Sequence, residues 1–222
     1  MKNTLIIVST HNRRDLTGIT LDSLANAKSA DSDVLIWDDA SSEYEVSWLG
    51  RWGWPVARSS SRVGVGQAAY WRYKNFIDRP YTFLCVVDND LLFADKFDSR
   101  LLEFYRTLRT AVPDKPLLVT GYRSVTQLAR PGSLCFAGTS DNWESVDGAG
   151  GACQFSDRLT AESIIASVPE YEWDGTWDRS VSRACAAVYA PTRSLIQHLG
   201  IYGTGVNGIS NDTAKDFVGT CP

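Results

Sequence analysis

Asp88 and Asp90, separated by Asn89, follow an apolar run at residues 84–87 and precede Leu91, Leu92 and Phe93. An apolar run of this kind, with Val and Cys ahead of the acids, reads as a fully buried strand. Two carboxylates would then stand where that strand ends. Ionised carboxylates are costly to bury unless they are paired, hydrogen-bonded or bound to a cation. A hard divalent cation such as Mg²⁺ or Mn²⁺ uses one or two carboxylates and completes its shell with phosphate oxygens and water. Asp-Asn-Asp is also ordinary turn chemistry, in which a side-chain oxygen caps a nearby N–H. What sets the two readings apart is the company these acids keep: His11, the pair Asp38 and Asp39, Arg62 ahead of Gly64 and Gly66, Asp174, Asp178 and His198.

Positioning such groups requires a scaffold, and the chain reads as alternating strands and helices. Residues 4–8 and 34–37 are short β-branched apolar runs, each followed by a polar cluster, at 9–12 and 38–42. Leu16, Ile19, Leu21 and Leu24 approximate helical spacing. A second helix is predicted from Ala68 to about Ile77, a strand over 81–87, a helix over 97–108 and a strand over 116–120. Strands alternating with helices indicate an α/β layered fold with a mostly parallel sheet. Ligands of such sheets sit beyond the carboxyl ends of the strands, where all three polar clusters fall. The second half is less regular. Residues 129–158 are rich in Gly, Ser and Asp, and 148–151 read as a flexible, hinge-like stretch. Helices are expected over 159–168 and 180–188, and a Gly- and Asn-rich tail follows residue 200.

Composition narrows the function classes. With 222 residues, 44% apolar and 22% charged, the chain can bury a sizeable core. A net charge of −4 argues against binding nucleic acid by bulk charge. No apolar run approaches a membrane span, and the first residues lead into a strand-like run rather than a signal peptide. Cys85, Cys135, Cys153, Cys185 and Cys221 are odd in number and show no C-x-x-C spacing, which supports neither a zinc site nor a disulfide framework. A cytoplasmic setting is the expectation. The eight tryptophans could stack on sugars or bases, although core packing is the commoner use.

In four places and in order, the chain resembles the GT-A glycosyltransferases of the family that includes chitin, cellulose and hyaluronan synthases. Residues 4–12 look like the family's opening strand and nucleotide loop. Asp38, Asp39, Ala40 and Ser41 are similar to its second-strand motif, and Arg62 with Gly64 and Gly66 to the segment closing over the nucleotide. Asp88-Asn89-Asp90 falls at its D-x-D metal motif. The resemblance implies one GT-A domain over 1–222, with a Rossmann-like nucleotide-binding half at 1–95 and an acceptor half with its C-terminal tail at 96–222. It further implies a nucleotide site at Ser9, His11, Asp39, Arg62 and Asp88. Mn²⁺ or Mg²⁺ would be bound by Asp90, with Asp88 on the ribose or reaching the metal through water. His198 stands where some members place a metal-binding histidine. Asp174 or Asp178 would be the catalytic base, and Asp174 lies 24 residues before His198, a separation similar to that in relatives. The family's usual Glu-Asp pair is interrupted here by Trp173, between Glu172 and Asp174.

The activity implied is transfer of a sugar from a nucleoside-diphosphate sugar, UDP favoured, to a hydroxyl acceptor, with inversion. The acceptor is left open between a glycan, a lipid-linked sugar, a protein and a modified base. Small enzymes of this type also occur in bacteriophages, where some glycosylate hydroxymethylated DNA bases. A phage-encoded chain would work in the host cytoplasm. Arg100, Arg106, Arg109, Arg123 and Arg130 could supply a basic surface for such an acceptor. Two other classes fit parts of the sequence. A sugar nucleotidyltransferase also uses paired acids and a metal, but it carries an early Gly-rich loop, and residues 9–14 have arginines without glycine. A non-catalytic nucleotide-sugar or glycan-binding domain would keep the nucleotide site and dispense with the base. The lack of a G-x-G-x-x-G after the first strand counts against a Rossmann dehydrogenase.

Overall fold

The computed structural model describes residues 3–123, 136–137, 142–199 and 217. Cys135, Cys221, Arg130 and the Gly- and Asn-rich tail lie outside them. Elements run β1 (Thr4–Thr10), α1 (Arg14–Ala27), β2 (Ser32–Asp38), α2 (Val46–Leu49), β3 (Val56–Arg58), α3 (Val65–Ile77), β4 (Phe83–Val87), β5 (Leu91–Phe93), α4 (Phe97–Ala111) and β6 (Leu117–Val119). Then follow β7 (Phe136–Ala137), β8 (Asn142–Val146), β9 (Cys153–Asp157), α5 (Arg158–Ser167), α6 (Trp177–Ala184), β10 (Ala187–Pro191) and β11 (Ile196–His198).

A nine-stranded sheet has the order β3-β2-β1-β4-β9-β6-β10-β8-β7. β3, β2, β1 and β4 pair in parallel, as do β6 and β10. β9 runs antiparallel between β4 and β6, and β8 antiparallel between β10 and β7. Every described strand of this sheet but β9 and β8 therefore points the same way, as expected for a mostly parallel GT-A sheet.

The continuous apolar runs follow from cover on both faces. Ile6, Val8, Ile36 and Val87 face one core, completed by Leu21 and Leu24 of α1 and Leu101 and Phe104 of α4. Leu5, Ile7, Leu35 and Val86 face the other, with Tyr73 and Phe76 of α3, Ile164 of α5 and Val181 of α6. Each such side chain contributes about 1.5–3 kcal/mol on full burial.

Three features go beyond the sequence reading. The helix expected over 180–188 ends at Ala184, and residues 187–191 form β10, which pairs with β6 in the sheet. Short helices and strands with apolar residues cannot be told apart by periodicity alone. Within residues 148–151, a Cβ on Gly151 would press on the Trp177 ring, and one on Gly148 would meet Ser182. These two glycines permit close approach. Finally, β11 leaves the main sheet and pairs antiparallel with β5, setting Ile196 opposite Phe93 and His198 opposite Leu91.

Candidate active site

Parallel register puts the ends of β1, β2 and β4 side by side: Thr10 lies opposite Asp38, and Val8 opposite Val87. The three polar clusters thus meet at one edge, each in the loop leaving its strand. Asp38 is fully buried and spent on this architecture, accepting from Thr10 Oγ1 at 3.0 Å, from Ser41 Oγ and from Arg58 Nε.

Asp39 braces the loop that follows β3. Its Oδ1 accepts from Val63 N at 2.7 Å and Ser59 Oγ at 3.2 Å, and its Oδ2 from Gly64 N at 2.9 Å. A carboxylate offers about four acceptor positions, so Oδ2 keeps one to spare. Gly64 has φ 85°, a left-handed value that side chains resist. His11 Nδ1 lies 2.7 Å from the Asp39 carbonyl oxygen, which orients the ring against the same loop. Ser9 Oγ is buried at this edge without a hydrogen-bond partner, and Arg62 is exposed at the rim.

Asp88 begins where β4 ends, held by a 3.2 Å bond from its N–H to the Ala152 carbonyl. Its carboxylate is 38% exposed toward the cleft. One oxygen meets Arg72 Nη1 at 3.3 Å, and that guanidinium, 2% exposed, sits over the Trp177 ring at 5.2 Å. Burial pushes the Asp88 carboxyl above its ordinary pKa, with Arg72 opposing. Asn89 is more than a spacer: its Nδ2 donates to Thr17 Oγ1 at 2.7 Å and so bolts the acidic loop to α1.

Asp90 is 4% exposed and touches the side chains of Arg13 and His198. Its Oδ2 accepts from Arg13 Nη1 at 2.7 Å, and its Oδ1 lies 3.2 Å from His198 Nε2. Burial alone would raise this carboxyl's pKa, but the hydrogen bond and charge of His198, then those of Arg13, outweigh it and hold it low. The β5–β11 ribbon brings His198 here from the far end of the described chain, and Leu199 N–H bonds the Asp90 carbonyl at 2.6 Å. Among the described residues no three His, Cys, Asp or Glu side chains form a closed metal site. The donor chemistry nevertheless fits a divalent cation. Asp90 and His198 supply oxygen and nitrogen at one point, Asp88 faces the same cleft, and the remaining ligands of such a cation come from substrate and water.

Both base candidates flank this cleft. A Cβ on Gly66, in the first turn of α3, would overlap the Trp173 carbonyl group and the Asp174 nitrogen. Backbone contact there holds the Asp174 segment against the Gly64–Gly66 loop. Asp174 itself is exposed, and its Oδ1 accepts from Thr176 N at 2.7 Å and Thr176 Oγ1 at 2.9 Å, bonds that keep its pKa low. Asp178 lies in the first turn of α6, half-buried, and burial raises its pKa. Trp173 and Trp177 are buried and brace the cleft walls rather than lying open as platforms.

Two of the arginines expected to form a basic surface have acidic partners. Arg109 pairs with Asp157 at 2.8 Å, and Arg123 is buried against Glu144 at 2.6 Å. Sequence reasoning passed over Arg13, Arg72 and Asn89. Arg72 left a signal: it occupies the buried stripe of α3 between Ala69, Tyr73 and Phe76, where a charge requires a buried partner. Nothing in the spacing separates Arg13 from Arg14.

Solved structures share this architecture. The chain superimposes on TarS of S. aureus over 85% of its length with a TM-score of 0.56 and 14% identity, spanning 35% of TarS. For GalNAc-T7, crystallised with UDP, GalNAc and Mn²⁺, the TM-score is 0.63 with 11% identity, over 85% of this chain and 41% of that one. The mannosyltransferase PcManGT from Pyrobaculum calidifontis, in complex with GDP-Man and Mn²⁺, gives 0.51 and 14%, over 84% and 53%. The chain therefore spans from about a third to about half of these proteins, and at such identities the likeness is one of fold. No curated protein matches it by sequence. Residues 5–119, more than half of the chain, match glycosyl transferase family 2, and the chain belongs to that family.

Proposed function

We propose that the chain transfers a glycosyl group from a nucleoside-diphosphate sugar to an acceptor hydroxyl, with inversion at the sugar carbon. The meeting of Asp90 and His198 at 3.2 Å, brought together across the chain by the β5–β11 ribbon, carries this reading. In it, Ser9, His11 and Asp39 bind the nucleoside, the last through its spare acceptor on Oδ2. Arg62 closes the rim over the diphosphate. Asp90 and His198 hold a divalent cation, Mn²⁺ or Mg²⁺, and Asp88 holds the ribose or reaches that cation through water. The bound cation supplies Lewis-acid stabilisation of the negative charge that develops on the departing diphosphate. Asp178 takes the acceptor hydroxyl's proton as the new glycosidic bond forms and the bond from the sugar to the phosphate oxygen breaks. Its raised pKa suits a base better than Asp174, whose carboxylate is already engaged by Thr176. Titration calorimetry with UDP, GDP and dTDP, each with Mn²⁺ and with EDTA, tests the donor site. We expect metal-dependent binding of one nucleotide, UDP favoured, that disappears in Asp90→Ala. Transfer should fall about 100- to 1,000-fold in the same variant. Binding of none of the three nucleotides would overturn the reading.

A further inference from the structure

The two acids of the cleft are each held by an arginine, but the two arginines are held very differently. Arg72 is buried to 2% exposure, rests over the Trp177 ring and is fixed beside Asp88. Arg13 is 24% exposed, and its guanidinium meets Asp90 at 2.7 Å. Its backbone, by contrast, is tightly specified. Asn12 and Arg13 both have left-handed backbones, with φ of 52° and 53°, a conformation non-glycine residues adopt at a cost. Asn12 is pinned by bonds from its N–H to Ser41 Oγ at 2.8 Å and from Ser42 N to its Oδ1 at 2.8 Å. The fold thus spends strain to aim a partly exposed arginine at the carboxylate that meets His198.

We infer, on the reading proposed above, that Arg13 is an exchangeable counter-ion of Asp90. In the donor-free protein it balances the buried carboxylate and opposes a bare divalent cation, because like charges repel in a cleft of low dielectric. An incoming diphosphate offers the guanidinium a second anion of matching geometry. Arg13 then turns from Asp90 to the diphosphate, and Asp90 accepts the cation that arrives with it. Metal and nucleotide are thereby made to bind together, and the coupling is reciprocal.

The test is Mn²⁺ binding, followed by the EPR signal of free Mn²⁺, to the full chain with and without UDP. Removing the opposing charge in Arg13→Gln should tighten the binding of Mn²⁺ alone about tenfold and shrink the Mn²⁺–UDP coupling. Arg13→Met, which keeps the long apolar stem, should do the same and serves if the glutamine variant fails to fold. Arg13→Lys keeps the charge and should stay close to wild type. Unchanged or weaker binding of Mn²⁺ alone in the glutamine and methionine variants would overturn the inference, as would equal tightening in the lysine variant. If wild type binds no UDP even with Mn²⁺, the donor-site reading fails instead, and the two failures are thereby told apart.

Discussion

At the scale of single residues, the cleft sorts its carboxylates by what already touches them. Asp38 has every oxygen committed to the loop it caps, and Asp39 nearly so. Asp90 is kept ionised by His198 and Arg13 despite its burial. Its stabilising contribution is therefore present above the ordinary Asp pKa of about 3.9 and is lost as pH falls through the lower folded value. Asp178 differs in sign, because burial raises its pKa. As a base it works only when deprotonated, so the acid limb of the kcat/KM profile should lie above the usual Asp range. Asp178→Asn should remove that limb and lower kcat by about 100-fold or more. Asp174→Asn should leave the limb in place. A pH–rate profile of the two variants decides between them, and loss of the limb in Asp174→Asn alone would reverse the assignment.

At the scale of elements, placement depends on two close approaches. The first is Gly66, where α3 meets the Trp173–Asp174 backbone with no room for a methyl group. Gly66→Ala should cost about 1–3 kcal/mol by overpacking and shift both the nucleotide loop and the approach to α6. We expect a lower Tm together with weaker nucleotide binding. An unaltered dissociation constant would show that the loop does not rely on this contact. The second is the turn into β11. Ser194 Oγ, buried there, accepts from Arg123 N at 3.0 Å and donates to the Ile196 carbonyl at 2.6 Å. Ser194→Ala leaves those groups unsatisfied, at about 1–3 kcal/mol. Because β11 pairs only with β5, outside the main sheet, the loss should fall first on His198. Mn²⁺–UDP affinity should then drop while far-UV circular dichroism is retained.

At the scale of the molecule, one sheet joins both halves of the described chain, since β9 of the second half lies between β4 and β6. The site is therefore built from loops at a shared edge and closed by a ribbon from the far end. Ligand that binds such an edge stabilises the folded state alone. Mn²⁺ with the cognate nucleotide at 100 times its Kd should add about 2.7 kcal/mol, a Tm rise of several degrees measured by scanning calorimetry. EDTA should abolish the rise, and a rise that persists in EDTA would point to a site that needs no metal. No helix among the described residues is long and apolar enough to cross a membrane.

The sequence by itself determined the layered α/β fold and the edge at which chemistry could occur, because both follow from local rules. Short β-branched apolar runs alternating with helical periodicity read as strands of a covered sheet, and polar clusters after successive parallel strands share an edge. It also marked Asp39, Asp88, Asp90 and His198 through the motifs that carry the family resemblance. The partners of these residues were not legible. Periodicity within 187–191 could not show β10, because a short apolar run is read as strand or helix only once its neighbours are known. Arg13 reaches Asp90 across 77 positions of sequence, and Arg72 meets Asp88 only because α3 packs over the end of β4. Pairing of this kind is set by three-dimensional packing and by which charges must be balanced once water is excluded. Only the tertiary structure decided which cation stands beside which acid.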